Sequence, residues 1–175
     1  MNRSKKQYIT LLMATILVLA VACHGGNSGS SRDYRPDRND MADMNRYMIR
    51  KDRERIQSYS ERKALTVQET STGLWYGISE EGTGDFLTDG DMIRYEYNCS
   101  LLDGTECYSS QEFGPAEVQI GRSELPAGLY EGLKLLKRGS TATFIIPPFL
   151  AYGLVGDGKK IPPRATLVYS VLVIK

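Results

Sequence analysis

One histidine in 175 residues removes most acid–base and metal-centred chemistry from consideration, because imidazole is the side chain that most often serves both. Three cysteines are too few for a disulfide scaffold. No Cys-x-x-Cys, His-Glu-x-x-His, phosphate-binding glycine loop or Gly-x-Ser-x-Gly pattern occurs, so classical metal and nucleophile chemistry has no foothold. An excess of one charge is also lacking. The 22 Lys+Arg face 21 Asp+Glu, which gives no electrostatic case for a nucleic acid partner. The longest apolar run, Ile9 to Ala22, is broken only by Thr10 and Thr15 and falls short of the roughly 20 residues that a membrane span needs.

The run does have the layout of an export signal. Arg3, Lys5 and Lys6 precede it, and Ala20-Val21-Ala22 lead into Cys23. Small residues before a Cys at this position resemble the bacterial lipobox, although Ala20 stands where that motif prefers Leu. The resemblance implies that residues 1–22 are removed and that Cys23 carries the lipid. An uncleaved anchor, or an ordinary signal with an incidental Cys, are the other readings. Loss of Arg3, Lys5 and Lys6 from the 22 bases, against 21 acids, turns the net charge to about −2, so acyl chains rather than a basic patch would hold the membrane. Residues 23–40 are Gly/Ser-rich and then charged, a flexible linker spanning about 20–25 Å, in which His24 is solvated. Because His24 rather than Asp follows the Cys, the expected location is an envelope lipoprotein on the outer membrane, facing the periplasm.

Residues 41–65 contain no Gly or Pro and read as a charged amphipathic helix, with Asn39 or Asp40 as its cap and Met41, Met44, Met48, Arg55 or Ile56, and Tyr59 along one stripe. That stripe either packs on the following domain or takes a partner or a second copy of the chain.

From residue 66 to 175 the pattern changes to alternation and turns. Expected strands are Thr72–Ser79, Asp91–Leu101, Thr105–Ser109, Glu117–Ile120, Thr141–Ile146 and Thr166–Ile174. In the second of these, Ile93, Tyr95, Tyr97 and Cys99 alternate with Met92, Arg94, Glu96 and Asn98. Asp103-Gly104 is a hairpin turn signal. Pro126 to Leu136 is the one helix signal, with Leu129, Leu133 and Leu136 on one face. The expectation is an α+β fold with a five- to six-stranded antiparallel sheet wrapped on one short helix.

The segment from Ala151 to Val173 stands out: Tyr152-Gly153 opens a Gly/Lys loop, Ile161-Pro162-Pro163 closes it, and Ala165-Thr166-Leu167 leads into a strand bearing Tyr169. This resembles the signature of the FK506-binding-protein family of peptidyl-prolyl isomerases. Tyr97, Asp103-Gly104, Ser109-Ser110, Gly121, Gly128, Glu131, Gly132 and Gly139 extend the match upstream. The resemblance implies an FKBP-like fold and isomerisation of X–Pro bonds in proline-containing client polypeptides, without metal or cofactor. It assigns Tyr152 to the substrate carbonyl, and Tyr97 and Tyr169 to aromatic walls. Leu125, Pro126, Leu129, Ile161, Val118 and Tyr108 become lining candidates. Plain core packing is the other reading of each tyrosine. Trp75 lies outside the signature and reads as a packing residue. Ile49-Arg50-Lys51-Asp52 together with the Gly73–Tyr76 strand resembles the gliding-motility-associated lipoproteins of this family.

Three positions depart from the family pattern. Cys107 and Tyr108 replace an aromatic and an acid, Leu129 replaces a floor tryptophan, and Ala116 replaces an aromatic. The expectation is a wider, less aromatic pocket that lacks the acid pairing a tyrosine hydroxyl, and weaker activity or altered substrate choice. Cys99 and Cys107 flank the hairpin, where a two-residue turn sets them on opposite faces and a three-residue turn brings them together. A disulfide and two buried free thiols both remain open. Two functions are therefore carried: a lipid-tethered isomerase, and a catalytically weak binding or chaperone module on the same fold in an envelope or gliding-motility assembly.

Overall fold

The computed structural model describes residues 37–174. The export signal, Cys23 and most of the linker lie outside them. Residues 41–175 belong to one compact unit.

The charged helix α1 spans Arg38–Arg62. Its start is set by Asp37, not Asn39 or Asp40: the Asp37 carboxylate accepts the backbone N–H groups of Asn39 and Asp40 at 2.7 and 2.8 Å. It ends three residues earlier than the sequence pattern implies, where Ala64 turns the chain with φ 51°. Only the C-terminal half of the stripe packs on the domain. Ile56 and Tyr59 are buried with Ile145 and Val168, and Leu65, half-buried Trp75 and Leu102 close around them. Met41 and Met44 stay 56% and 57% exposed.

The strands are β1 (Gln68–Glu69), β2 (Trp75–Glu80), β3 (Thr83–Phe86), β4 (Met92–Leu101), β5 (Glu106–Ser109), β6 (Ala116–Gln119), β7 (Lys137–Arg138), β8 (Thr141–Ile146) and β9 (Leu167–Val173). Seven form one antiparallel sheet in the order β1-β2-β8-β9-β4-β5, and β6 also pairs with β4. The sheet thus exceeds the expected five or six strands by the two-residue β1. The β3–β7 ribbon is a further addition. The long strand β4 makes this topology work. One edge pairs with β9 from Tyr95 to Leu101, while the other takes β6 over Met92–Tyr95 and β5 over Asn98–Ser100. A four-residue helix α2, Ser110–Phe113, fills the step between β5 and β6. The alternation along β4 holds: Ile93, Tyr95 and Cys99 are buried and Met92 is exposed.

Helix α3 (Ala127–Lys134) lies on the inner face of the sheet, with Pro126 at its entry. Leu129, Leu133 and Leu136 are buried against Phe144, Ile146, Leu167, Val171 and Val173. Two helix glycines permit the approach. A Cβ on Gly132 would sit 2.8–2.9 Å from the Phe144 ring, and one on Gly128 would sit 2.5 Å from Ile146 Cγ2.

The Asp103-Gly104 hairpin is not a two-residue turn. Leu101 accepts from the N–H of Gly104 at 3.0 Å and donates to Thr105 at 2.9 Å, and the register shifts between Cys99 and Ser100. Cys99 and Cys107 are both buried and both free.

Gly132→Ala separates two opposed effects. Alanine favours a helix by about 1 kcal/mol over glycine. Its methyl here collides with a ring that is fully buried and cannot move aside, and overpacking costs about 1–3 kcal/mol. The variant is expected to unfold at lower urea concentration than the parent, with an unchanged slope.

Candidate active site

The signature segment is organised chiefly by its backbone. After β8, Pro147 and Pro148 stop the strand, and Pro148–Leu150 form a single 3-10 turn that delivers Ala151 and Tyr152. The loop from Tyr152 to Arg164 is cross-braced from inside. Gly156 donates to the Tyr152 carbonyl at 3.2 Å, Asp157 to the Ile161 carbonyl at 3.1 Å, and Arg164 to the Gly153 carbonyl at 2.9 Å. Gly156 must be glycine, because it has φ 76° and a Cβ there would lie 2.3 Å from the Ile161 oxygen.

Asp157 is the hub of this loop, and the sequence analysis did not single it out. One carboxylate oxygen accepts the N–H groups of Lys159 and Ile161, each at 2.8 Å. The other takes the hydroxyl of Tyr108 on β5. Tyr108 stands where the family pattern has its acid and is itself the tyrosine paired with a carboxylate; among the described residues no carboxylate bonds the hydroxyls of Tyr97, Tyr152 or Tyr169. The sequence cue to Asp157 is an Asp between two glycines, a pattern that favours side-chain-to-backbone turns.

The three tyrosines assigned by resemblance come together. Tyr97 on β4 and Tyr169 on β9 have ring centroids 6.3 Å apart, and Tyr95 lies 5.8 Å from Tyr97. Tyr152 is near enough to all of them to affect their ionisation or be affected by it. Below them, Leu129, Ile161, Tyr169 and Val118 are buried in the main core, and Leu125 and Tyr108 are half-buried against it. Pro126 stands at the entry to α3 beside Leu125. Leu129, Ile161 and Tyr169 are thus sealed in the core, while Tyr97, Tyr108, Leu125 and Tyr152 keep exposed surface. Tyr108 has a further ring beside it. Phe113 lies 5.9 Å from Tyr108, and the Lys160 ammonium sits 5.4 and 5.3 Å from the two ring centres while pairing with Glu112 at 2.8 Å. The Cys107 sulfur lies 3.6 Å from the Lys160 carbonyl, under the same loop.

Ionisation states follow from burial. Burial, then Cys99, Asp157 and Tyr97, push the Tyr152 hydroxyl above its ordinary 10.0, so it remains a proton donor at any physiological pH. Tyr169 is raised by burial and by the Cys99 sulfur. The bond to Asp157, then burial, pushes Tyr108 up to about 12. Burial pushes Cys99 up to about 12. Among the described residues the Tyr152 hydroxyl has no hydrogen-bond partner, although the residue is 37% exposed on a braced loop. A hollow of about 180 Å³ lies beside α1, lined by residues that include Ile49, Ile56, Trp75 and Phe149. Its charged residues, Arg53 and Glu69, bind each other at 2.8 Å.

Residues 84–174 match the model of the family described as FKBP-type peptidyl-prolyl cis-trans isomerase. The chain belongs to this family. The FKBP-type region is 43% identical over 109 residues to the probable FkpA isomerase of Neisseria meningitidis serogroup B, a match spanning 62% of this chain and 40% of the relative. It is 39% identical over 110 residues to FkpA of Escherichia coli K12, spanning 62% and 40%. It is 46% identical over 89 residues to human FKBP10, spanning 50% and 15%. Less than half the length of these relatives is therefore matched. Among solved structures, FkpA from Escherichia coli superposes with a TM-score of 0.62 at 33% identity, covering 78% of this chain and 63% of that one. AtFKBP13 gives 0.60 at 29%, covering 63% and 98%.

Asp157 makes the FKBP-type loop sensitive to acid. Burial alone would raise its carboxyl, but the bonds from the Tyr108 hydroxyl and from the N–H groups of Lys159 and Ile161 outweigh it and hold the group below its ordinary 3.8. A depressed carboxyl contributes stability above its unfolded value and loses it as pH falls through the folded one. The wild type should therefore lose stability on acidification below about pH 4, and Asp157→Asn should lack that component of the loss, as read by urea titrations across pH.

Proposed function

We propose that this chain is a peptidyl-prolyl cis-trans isomerase acting on proline-containing polypeptides of the bacterial envelope, held at the membrane by a lipid on Cys23. The observation that carries the catalytic half is the Tyr152 hydroxyl: raised in pKa by burial, unpartnered among the described residues, and close to Tyr97 and Tyr169.

The chemistry requires no acid, base or metal. Resonance holds the X–Pro bond planar against a barrier of about 18–20 kcal/mol. Twisting the bond removes that resonance and weakens the carbonyl dipole. An apolar site disfavours the polar planar imide relative to the less polar twisted one, and each ~1.4 kcal/mol of that difference is tenfold in rate. The proline ring would settle between Tyr97, Tyr169 and Leu125, and Tyr152 would donate to the substrate carbonyl, fixing it while the bond turns. Uncatalysed turnover takes about tens to hundreds of seconds, slow enough to delay a folding chain.

The second reading, a binding or chaperone module, draws on Leu129 and Cys107 where the family has aromatics. The methionine-bearing half of α1, with Met41, Met44 and Tyr47 exposed, would then engage a partner or a second copy. A role in gliding motility rests on the α1 sequence resemblance alone.

A protease-coupled assay on several X–Pro peptides separates the two readings, because the isomerase reading requires a rate above background. Tyr152→Phe is expected to lower kcat/KM by about three- to tenfold, the size of one hydrogen bond. An unchanged rate would remove Tyr152 from the mechanism. For the anchor, Cys23→Ser should shift the protein from the membrane fraction to the soluble one in cell fractionation.

A further inference from the structure

Among the described residues Asp52 is the one charged side chain that is buried, at 3% exposure. It lies in the middle of α1, upstream of the family match. A buried carboxylate needs a partner, and this one reaches across the fold. Its oxygens lie 3.2 and 3.4 Å from Nη2 of Arg164, whose other terminal nitrogen contacts the sulfur of Met48 one turn earlier on α1.

Arg164 sits at the base of the loop that carries Tyr152. Its backbone has φ 58°, the left-handed region that side-chain-bearing residues rarely adopt. On backbone grounds alone a glycine belongs there. In that conformation its N–H donates to the carbonyl of Gly153, the residue after Tyr152, at 2.9 Å. The guanidinium is therefore held by the helix while the amide of the same residue closes the loop. Helix α1 is itself anchored by Ile56 and Tyr59 in the sheet-side cluster and by the Arg53–Glu69 pair.

We propose that Asp52 is a positioning residue for Tyr152, acting through Arg164: the buried ion pair holds position 164 in its left-handed turn and so keeps the Arg164–Gly153 bond closed. The flanking helix then sets how firmly the hydroxyl is presented to a substrate. Neutralising Asp52 leaves the loop chemically intact and releases its base, letting Tyr152 sample positions away from Tyr97 and Tyr169. The catalytic consequence rests on the isomerase reading above. The mechanical link between helix and loop does not.

The test uses the full chain with three substitutions, following amide hydrogen exchange and kcat/KM per folded molecule. Asp52→Asn keeps shape and removes charge. It is expected to speed exchange at the Arg164 amide by about tenfold and to lower kcat/KM by a similar factor, within the range of coupled neighbours. Asp52→Glu retains the charge and should restore most of both. Leu87→Val trims the core at a buried residue that lies in neither α1 nor the loop. It should lower the melting midpoint while leaving loop exchange and rate unchanged. Unchanged exchange at Arg164 in Asp52→Asn, or the same change in Leu87→Val, would overturn the proposal. If Asp52→Asn does not fold, Arg164→Lys takes its place, keeping the charge and losing the planar fork, with the same two outcomes. If the wild type has no isomerase activity, the functional reading fails alone and the exchange measurement still decides the coupling.

Discussion

The close approach of α3 to the sheet is the constraint on which the rest depends. A helix normally stands off by the width of its side chains. Here Gly128 and Gly132 turn toward Ile146 and Phe144, and the helix settles onto them. That contact places Leu129 and Leu133 deep in the core. It also places the helix entry, Leu125-Pro126, beside the half-buried tyrosines. A larger gap would fill with side chains or open a void beneath the sheet. Core packing and site shape are one property here, set by two missing methyl groups.

The site uses its polar groups sparingly. Nearly every hydrogen bond around it serves the loop: Gly156 to Tyr152, Asp157 to Ile161, Arg164 to Gly153, Tyr108 to Asp157. What is left for a ligand is the Tyr152 and Tyr97 hydroxyls, neither of them partnered among the described residues, and several ring faces. That economy suits a reaction in which no proton moves and no bond is broken. It also explains why a chain with a single histidine carries a recognisable active-site motif. The proposed chemistry asks for desolvation and shape, and uncharged tyrosines with raised ionisation suit both.

Long patterned elements were legible from residues alone. The alternation along β4 and the leucine face of α3 placed both correctly, because ten residues of period two and three spaced leucines leave little ambiguity. The pieces missed were short: β1 and β7 have two residues, β3 and α2 have four, and no period can be read from so few. Asp37 at the start of α1 was passed over because the capping choice among Asp37, Asn39 and Asp40 depends on which carboxylate the turn brings to the free N–H groups. The methionines of α1 were legible as a stripe, but a stripe does not say how much of it finds a surface. Met41 and Met44 do not. Of the site, the signature tyrosines were found by resemblance. Asp157 and Phe113 were not, since the loop acid and the α2 ring meet Tyr108 only after the chain folds.

The two free cysteines have a consequence of a different kind. Cys99 is wholly buried, and its thiol is pushed up to about 12. At neutral pH the thiolate there is therefore scarce, and alkylating reagents react with thiolates they can reach. Cys107 sits just beneath the loop, sealed by the Lys160 carbonyl. Labelling of Cys107 therefore waits for the loop to lift, and labelling of Cys99 waits for the sheet itself to part. The protein carries two internal clocks, one timing the movement of its active-site loop and the other the opening of its core.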